Sequence, residues 1–545
     1  MDSLSSDLVL KIIQYLNAVD SGRLEVSQRY YYLVHQYRRL RGPELVTTFQ
    51  SSQFPPDHDN VETMMGQMVE NCKHKIQSKP NLVLYFSTPG ASDSLAKKLS
   101  SLFGNDSSNE TTVVLGAVSP NEIQVYQPKN TVEETSSSMG GEPLTTETCA
   151  SLMAMNFPGA TILPFCMRGS TNNNTPNAIN LDFLKGRLNF HNKNRDDDNF
   201  WKATILYATG SSSDEVVTGV QALMPNAAII GGVCEEGHVS FPRFSNEELR
   251  SMSIKHLRYL SRMYAKKGAS QTVTSIVEKQ DLVDHVAKLL DSACQDKSKL
   301  ETVGFESFFG VVLGGDIPVR SVVSRGVYSI LNDNGPPRSF SNLIVDEVEF
   351  FKAGEDSFFF GENGPPVHMI RTIKEKNTNR TYSPMQVIEK YLASSPHMAQ
   401  FMGLKRIGHD GFEMSHMNNL VEQINMFVVV TDGSEASEES LKGAELDFFT
   451  LNGKACMEDM DRTMVKLSEQ TKGEEILGAL MYTCCGRGPK PGLIPERMSD
   501  ATRFANVFPN VPCLGFYANG EFGPLALAGN EDVFQVGRST HQGVS

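Results

Sequence analysis

The chain has 545 residues, of which 40% are hydrophobic, with nine cysteines and a formal net charge of -14 at pH 7. That length exceeds what one hydrophobic core organises and predicts two or three domains. The acidic balance argues against general binding to phosphate backbones, and the longest apolar runs are only strand-sized, so neither nucleic-acid binding nor a membrane span is expected.

The first forty-five residues follow a helical logic. Leu8, Ile12 and Leu16, reinforced by Val9 and Ile13, recur at i, i+4 and i+8 behind Ser6, a capping residue. A second short helix carries Leu24, and a third runs from Gln28 to the basic end Arg38-Arg39-Leu40-Arg41, where Gly42-Pro43 stops it. Three such helices cannot sequester their own apolar surface, so they must cover a partner or the downstream chain.

Next come three units with one grammar. Asn81 to Phe86 and Val113 to Val118 flank a polar helical stretch, as do Ala203 to Gly210 and Pro225 to Gly232, and Leu480 to Thr483 and the run that Phe508-Pro509-Asn510 leads into at Gly515. Each first run ends near a tyrosine, Tyr85, Tyr207 or Tyr482, and in the last two units Pro-Asn precedes a run closed by glycine six residues after the proline. A strand, a helix and a strand over roughly thirty residues make a crossover that leaves the two strands parallel. Continuously apolar runs predict that Leu82 to Phe86, Thr204 to Ala208 and Leu480 to Thr483 are interior strands covered on both faces. The plain alternative is that apolar runs in any α/β protein look alike. Between the units, Gly104 to Thr112, Lys129 to Thr148, Ser170 to Asn177 and His191 to Asn199 are too polar to order themselves and read as loops. A helical insertion carries Leu249, Met252, Leu257, Leu260 and Met263 on one face and Lys255, His256, Arg258, Arg262, Lys266 and Lys267 on its solvated side.

Chemistry-bearing motifs are few. The cysteines are odd in number and scattered apart from Cys484-Cys485, which argues against a disulfide framework and fits a reducing compartment. The start of the chain lacks a basic leader, so a cytoplasmic or nuclear location is expected. His409 and His416 have no second cluster at metal-ligand spacing, and no phosphate loop, dinucleotide fingerprint or G-x-S-x-G occurs. No metal, cofactor or catalytic residue is therefore expected; an enzyme would have to use Cys484 or Cys485 with an unlocated histidine.

Two strings resemble known families. Leu4-Ser5-Ser6-Asp7-Leu8-Val9-Leu10-Lys11-Ile12-Ile13-Gln14-Tyr15-Leu16, with Asp20, Leu24 and Ser27-Gln28-Arg29-Tyr30, resembles an F-box, with Ser5 where proline is common and Tyr30 where tryptophan is common. Cys484-Cys485-Gly486-Arg487-Gly488, with Gly515-Phe516 and Asn519-Gly520-Glu521-Phe522-Gly523-Pro524, resembles the end of a FIST domain, and Phe309 to Arg325 with the upstream units looks like its N-terminal half. The resemblance implies an α/β chain: an F-box-like module at 1–45, a FIST N-terminal domain at 60–335 with its helical insertion at 245–298, and a FIST C-terminal domain at 340–535. It further implies a substrate receptor of a cullin-RING ubiquitin ligase, with Leu4, Leu8, Ile12, Ile13, Leu16 and Leu24 on a Skp-type adaptor and an unnamed protein substrate held by the FIST region. FIST regions of bacterial signalling proteins imply the alternative, a sensor of small, amino-acid-like ligands.

The C-terminal string is itself a candidate site. Ligands of parallel α/β sheets bind outside the carboxyl ends of strands, where Cys484 to Gly488 would lie. Gly486 and Gly488 would turn backbone N–H groups toward a guest, Arg487 offers a planar fork for a carboxylate, and Glu521, near Asn519, would pair with Arg487 or with the guest's amine. Cys484 beside Arg487 would gain thiolate character. The plain alternative is a tight turn in which Arg487 simply pairs with Glu521 and both cysteines are inert.

Overall fold

The computed structural model describes residues 42–52, 58–103, 112–119, 123–128, 148–168, 176–192, 199–210, 214–240, 244–264, 278–295, 300–303, 307–324, 327–329, 342–352, 367–392, 401–408, 412–416, 420–421, 425–430, 441–487, 494, 499–526 and 534–542. The segment expected to form F-box-like helices, with Leu4, Leu8, Ile12, Ile13, Leu16 and Leu24, lies outside the described residues, as do most of the polar stretches read as loops. What is described is a mixed α/β architecture of four sheets with helices on their outer faces.

All three strand–helix–strand units are present with parallel strands. Leu82–Ser87 pairs with Val113–Val118 across helix Ser92–Phe103, and Trp201–Thr209 pairs with Ala228–Cys234 across helix Asp214–Leu223. Ala479–Cys484 pairs with Cys513–Ala518 across helix Ser499–Val507. The first unit is the middle of a six-stranded sheet, flanked on one side by Thr148–Asn156 and on the other by Glu236–Ser240. A second six-stranded sheet holds the second unit, together with Ala160–Arg168, Ser307–Gly315, Glu521–Ala526 and Phe534–Gln542. In the third sheet, Cys513–Ala518 sits between Ala479–Cys484 and Ile123–Tyr126. Strands from early and late in the chain thus share sheets on both sides of the boundary expected near residues 335–340.

These sheets close on a common aromatic centre. Phe86, Tyr207, Phe309, Tyr482 and Phe516 meet with ring centroids 5.5 to 6.3 Å apart, mostly edge to face, which is the arrangement that aromatic quadrupoles favour. The hydroxyls of Tyr207 and Tyr482 lie 2.8 Å apart and satisfy each other. On the outer faces, Met65, Met68, Leu95 and Leu99 cover the first sheet, and Leu184, Leu188, Val217 and Val220 cover the second. Met460, Met464, Phe504 and Phe508 cover the third. The fourth sheet, nine-stranded and antiparallel, is built from short strands between Val327 and Leu451 around Ile370, Ile373, Leu404, Phe427, Leu446 and Phe448. Helix Gly453–Gln470 follows it, capped by Asn452, whose side chain accepts from the Ala455 N–H at 3.1 Å.

Two expectations need correction. Leu82–Ser87 and residues 204–208 are buried interior strands, but Ala479–Cys484 is the edge of its sheet, and residues 479–482 are only half-buried. An apolar run reports coverage of the faces; it carries no information about whether a neighbour stands at the side. The three tyrosines are also not equivalent. Tyr207 and Tyr482 point into the aromatic centre, whereas Tyr85 faces the helices and Phe86 takes the central position. Side chains alternate across a strand, so a shift of one residue moves the tyrosine to the opposite face.

The insertion forms helices Asn246–Ser251, Ile254–Tyr264 and Lys279–Gln295, and its expected apolar face is a core of its own through Leu249, Met252, Leu257 and Leu260. Lys255 stays exposed and meets Asp182 at 3.4 Å.

Candidate functional site

At the carboxyl end of the third unit, Ala479–Cys484 runs into a short helical turn, Cys485–Arg487, that delivers Arg487 into the interior at 2% exposure. Arg487 Nε donates to Asp500 Oδ2 at 3.2 Å and Nη2 donates to Asp500 Oδ1 at 3.0 Å, a bidentate pair from the first turn of helix Ser499–Val507. The rest of the fork donates to Ser324 O and Oγ and to the Cys456 carbonyl at 3.3 to 3.4 Å. Burial works against the charge, but Asp500 outweighs it and holds the guanidinium above its ordinary range.

The expected Arg487–Glu521 pair is therefore replaced by Arg487–Asp500. Glu521 is buried on a strand whose backbone pairs with Gly232 of the second sheet, and Asn519 is exposed beside it. Gly486 lies in the turn, and Gly488 falls outside the described residues. Cys484 is buried, which opposes the thiolate character expected of it; among the eight cysteines whose side chains are described, Cys485 alone is half-buried. Burial pushes the thiols of Cys72 and Cys513 up to about 12.

The third unit also holds polar atoms that the sequence did not reveal. Gln124, opposite Gly515 in the neighbouring strand, is fully buried, and neither atom of its amide has a hydrogen-bond partner among the described residues. The same holds for the hydroxyl of Ser499, which opens the helix that carries Asp500. Buried polar atoms are nearly always satisfied, so this layer is suited to water or to a small polar guest.

The first unit builds a different end. Tyr85 lies across Gly116, where any Cβ would collide with its ring, and so reaches His238 on Glu236–Ser240. Its hydroxyl bonds His238 Nδ1 at 2.5 Å, and Ser92 Oγ lies 3.5 Å from the same nitrogen. Asp93, beside Ser92 in the first turn of its helix, and Glu236 bring carboxylate oxygens to within 4.8 Å of each other and of an imidazole nitrogen. His238 is 2% exposed, Glu236 is half-buried and Asp93 is exposed. Burial, then Asp93 and Glu235, raise the Glu236 carboxyl; burial lowers the His238 imidazole, with Asp93 opposing. Burial also raises the Tyr85 phenol. The sequence reading missed this group because its members come from a strand, a helix start and a second strand far apart in the chain. The local signals were Asp93 at the start of the first unit's helix and Glu236 two residues before His238.

Residues 384–524 match the FIST C domain family. The match takes in the later strands of the fourth sheet and the whole third unit, including Arg487, Asp500, Asn519 and Glu521. Comparison with curated proteins gives no match. The matched region thus contains the turn that the sequence marked as a site, while the Tyr85–His238 group lies outside it. Among the described residues, no helix is long and apolar enough to cross a membrane.

Proposed function

We propose that the chain is a non-catalytic substrate receptor. Its first forty-five residues dock on the Skp-type adaptor of a cullin-RING ubiquitin ligase, and its FIST body selects a protein for ubiquitination and proteasomal degradation in the cytoplasm or nucleus. The observation that supports this reading is the FIST C match at 384–524 in a chain that opens with the F-box-like string Leu4 to Tyr30. The burial of Cys484 is in keeping with a chain that leaves ubiquitin transfer to its partners.

Ile12→Asp with Leu16→Asp tests it. Each leucine or isoleucine buried on the adaptor contributes about 1.5 to 3 kcal/mol, and aspartate would desolvate a charge there instead. The double variant should lose the adaptor in a pull-down while melting at the wild-type temperature. Retention of the adaptor at wild-type levels would remove the F-box reading.

A second reading, an amino-acid-like ligand sensor, draws on two buried groups of the third unit without hydrogen-bond partners among the described residues, Gln124 opposite Gly515 and Ser499 next to Asp500. In it the guest's carboxylate competes with Asp500 for the Arg487 fork. A panel of free amino acids should then raise the melting temperature of the wild type but not of Gln124→Leu. No shift with any of them counts against the sensor and leaves the receptor reading untouched.

A further inference from the structure

We propose that Asp93, Glu236 and His238 form a binding site for a divalent transition metal of the zinc or manganese class, at the carboxyl end of the first parallel strand pair. Two separate elements converge there: the start of helix Ser92–Phe103, and two positions on one face of strand Glu236–Ser240. Two carboxylates and one imidazole are the donor set of an open zinc or manganese site rather than of a calcium cage, which uses oxygen alone.

The geometry is close to what such an ion needs. Metal–ligand bonds of about 2.0 to 2.2 Å place the ligand atoms of a tetrahedral site roughly 3.3 to 3.5 Å apart, and here all three lie within 4.8 Å of one another. His238 is fixed by its burial, and Asp93, the exposed member, is free to swing the remaining distance. With Nδ1 held by Tyr85, Nε2 is the nitrogen left for the metal, and a hydrogen bond on the other ring nitrogen is what orients metal-bound histidines. Gly116 makes that contact feasible, since only a residue without Cβ lets the Tyr85 ring cross to the imidazole.

Two further observations favour a cation. Asp93 and Glu236 bring like charges to within 4.8 Å of each other, a repulsion that a divalent cation would reverse. Ser87, on the same face as Tyr85 and one pleat nearer the strand's end, is wholly buried with no hydrogen-bond partner among the described residues. The exposure of Asp93 leaves a solvent side by which an ion enters and a water completes its shell.

The inference is independent of the receptor reading. The test uses the full chain, stripped with a chelator, dialysed and titrated calorimetrically with zinc sulfate and with manganese chloride. Binding of one equivalent of at least one of these ions is expected. Asp93→Asn and Glu236→Gln should each weaken it by about 100-fold or more, and Tyr85→Phe by about 10-fold, while Asp182→Asn, an exposed carboxylate elsewhere, should leave it unchanged. Cobalt loading gives a second readout: a tetrahedral visible spectrum for the wild type that Asp93→Asn abolishes. Asp93 is exposed, so that variant keeps the fold. No stoichiometric uptake of either ion, or wild-type affinity in both Asp93→Asn and Glu236→Gln, overturns the site.

Discussion

The first and third units use the same strand–helix–strand plan and end in opposite electrostatic states. In the third, Arg487 comes off the strand's end, turns inward and is neutralised by Asp500 from the following helix. In the first, the helix start offers Asp93, and Glu236 and His238 meet it. The difference follows from a shift of one residue. Tyr482 points to the shared aromatic centre and leaves the outer face to apolar packing, whereas Tyr85 points outward and carries a histidine with it. The same backbone thus gives a self-sufficient ion pair in one place and an incomplete cluster in another.

The largest test of that contrast compares two aspartates. Asp500→Ala leaves a buried guanidinium without its carboxylate and should destabilise the fold by about 3 to 5 kcal/mol in urea unfolding. Asp93→Ala should change stability by no more than about 0.5 kcal/mol. Equal losses would break the comparison. Gly116→Ala comes next: the new methyl must displace the Tyr85 ring and should cost about 1 to 3 kcal/mol, with loss of the Tyr85–His238 contact. A neutral Gly116→Ala would mean that the ring does not lie over the sheet.

A second self-neutralised pair, Arg187–Glu248 at 2.9 Å with both side chains at 2% exposure, sharpens the contrast through pH. Burial opposes ionisation of Glu248, but His191 and Arg187 outweigh it and hold the carboxyl below its ordinary value of 4.5. A depressed carboxylate contributes stability that is complete above its unfolded value and is lost as pH falls through the folded one. Wild-type stability should therefore fall below pH 4.5 more steeply than that of Glu248→Gln, as followed by urea midpoints across that range. Parallel pH curves would deny the pair its role. The smallest effect is chemical: under limiting alkylation of the native chain, mass spectrometry should find Cys485 labelled ahead of the buried Cys72, Cys149, Cys166, Cys234, Cys456, Cys484 and Cys513. Cys484 reacting first would contradict the depth at which it lies.

How far the sequence carried follows from what each signal encodes. The parallel units were legible because continuous apolar runs, a helical spacer and Pro-Asn before the second run are local. The apolar face of the insertion was legible for the same reason, since Leu249, Met252, Leu257 and Leu260 keep helical spacing. Lateral position was not, so Ala479–Cys484 reads like an interior strand although it ends its sheet. Partner choice was not either: Glu521 and Asp500 are equally plausible mates for Arg487 along the chain, and only the turn at Cys485–Arg487 selects Asp500. The cluster of Asp93, Glu236 and His238 has no full linear signature, because one strand and the start of a helix far from it in the chain assemble it.

The receptor account rests on a division of labour between the first forty-five residues and the α/β body that begins with strand Glu44–Ser52. Size-exclusion chromatography with a purified Skp-type adaptor tests it most directly, using the full chain beside one that starts at Gly42. The account predicts that the full chain co-elutes with the adaptor in equimolar amounts, and that the shortened chain elutes alone with an unchanged melting temperature. A full chain that elutes alone, or a shortened one that keeps the adaptor, would contradict it.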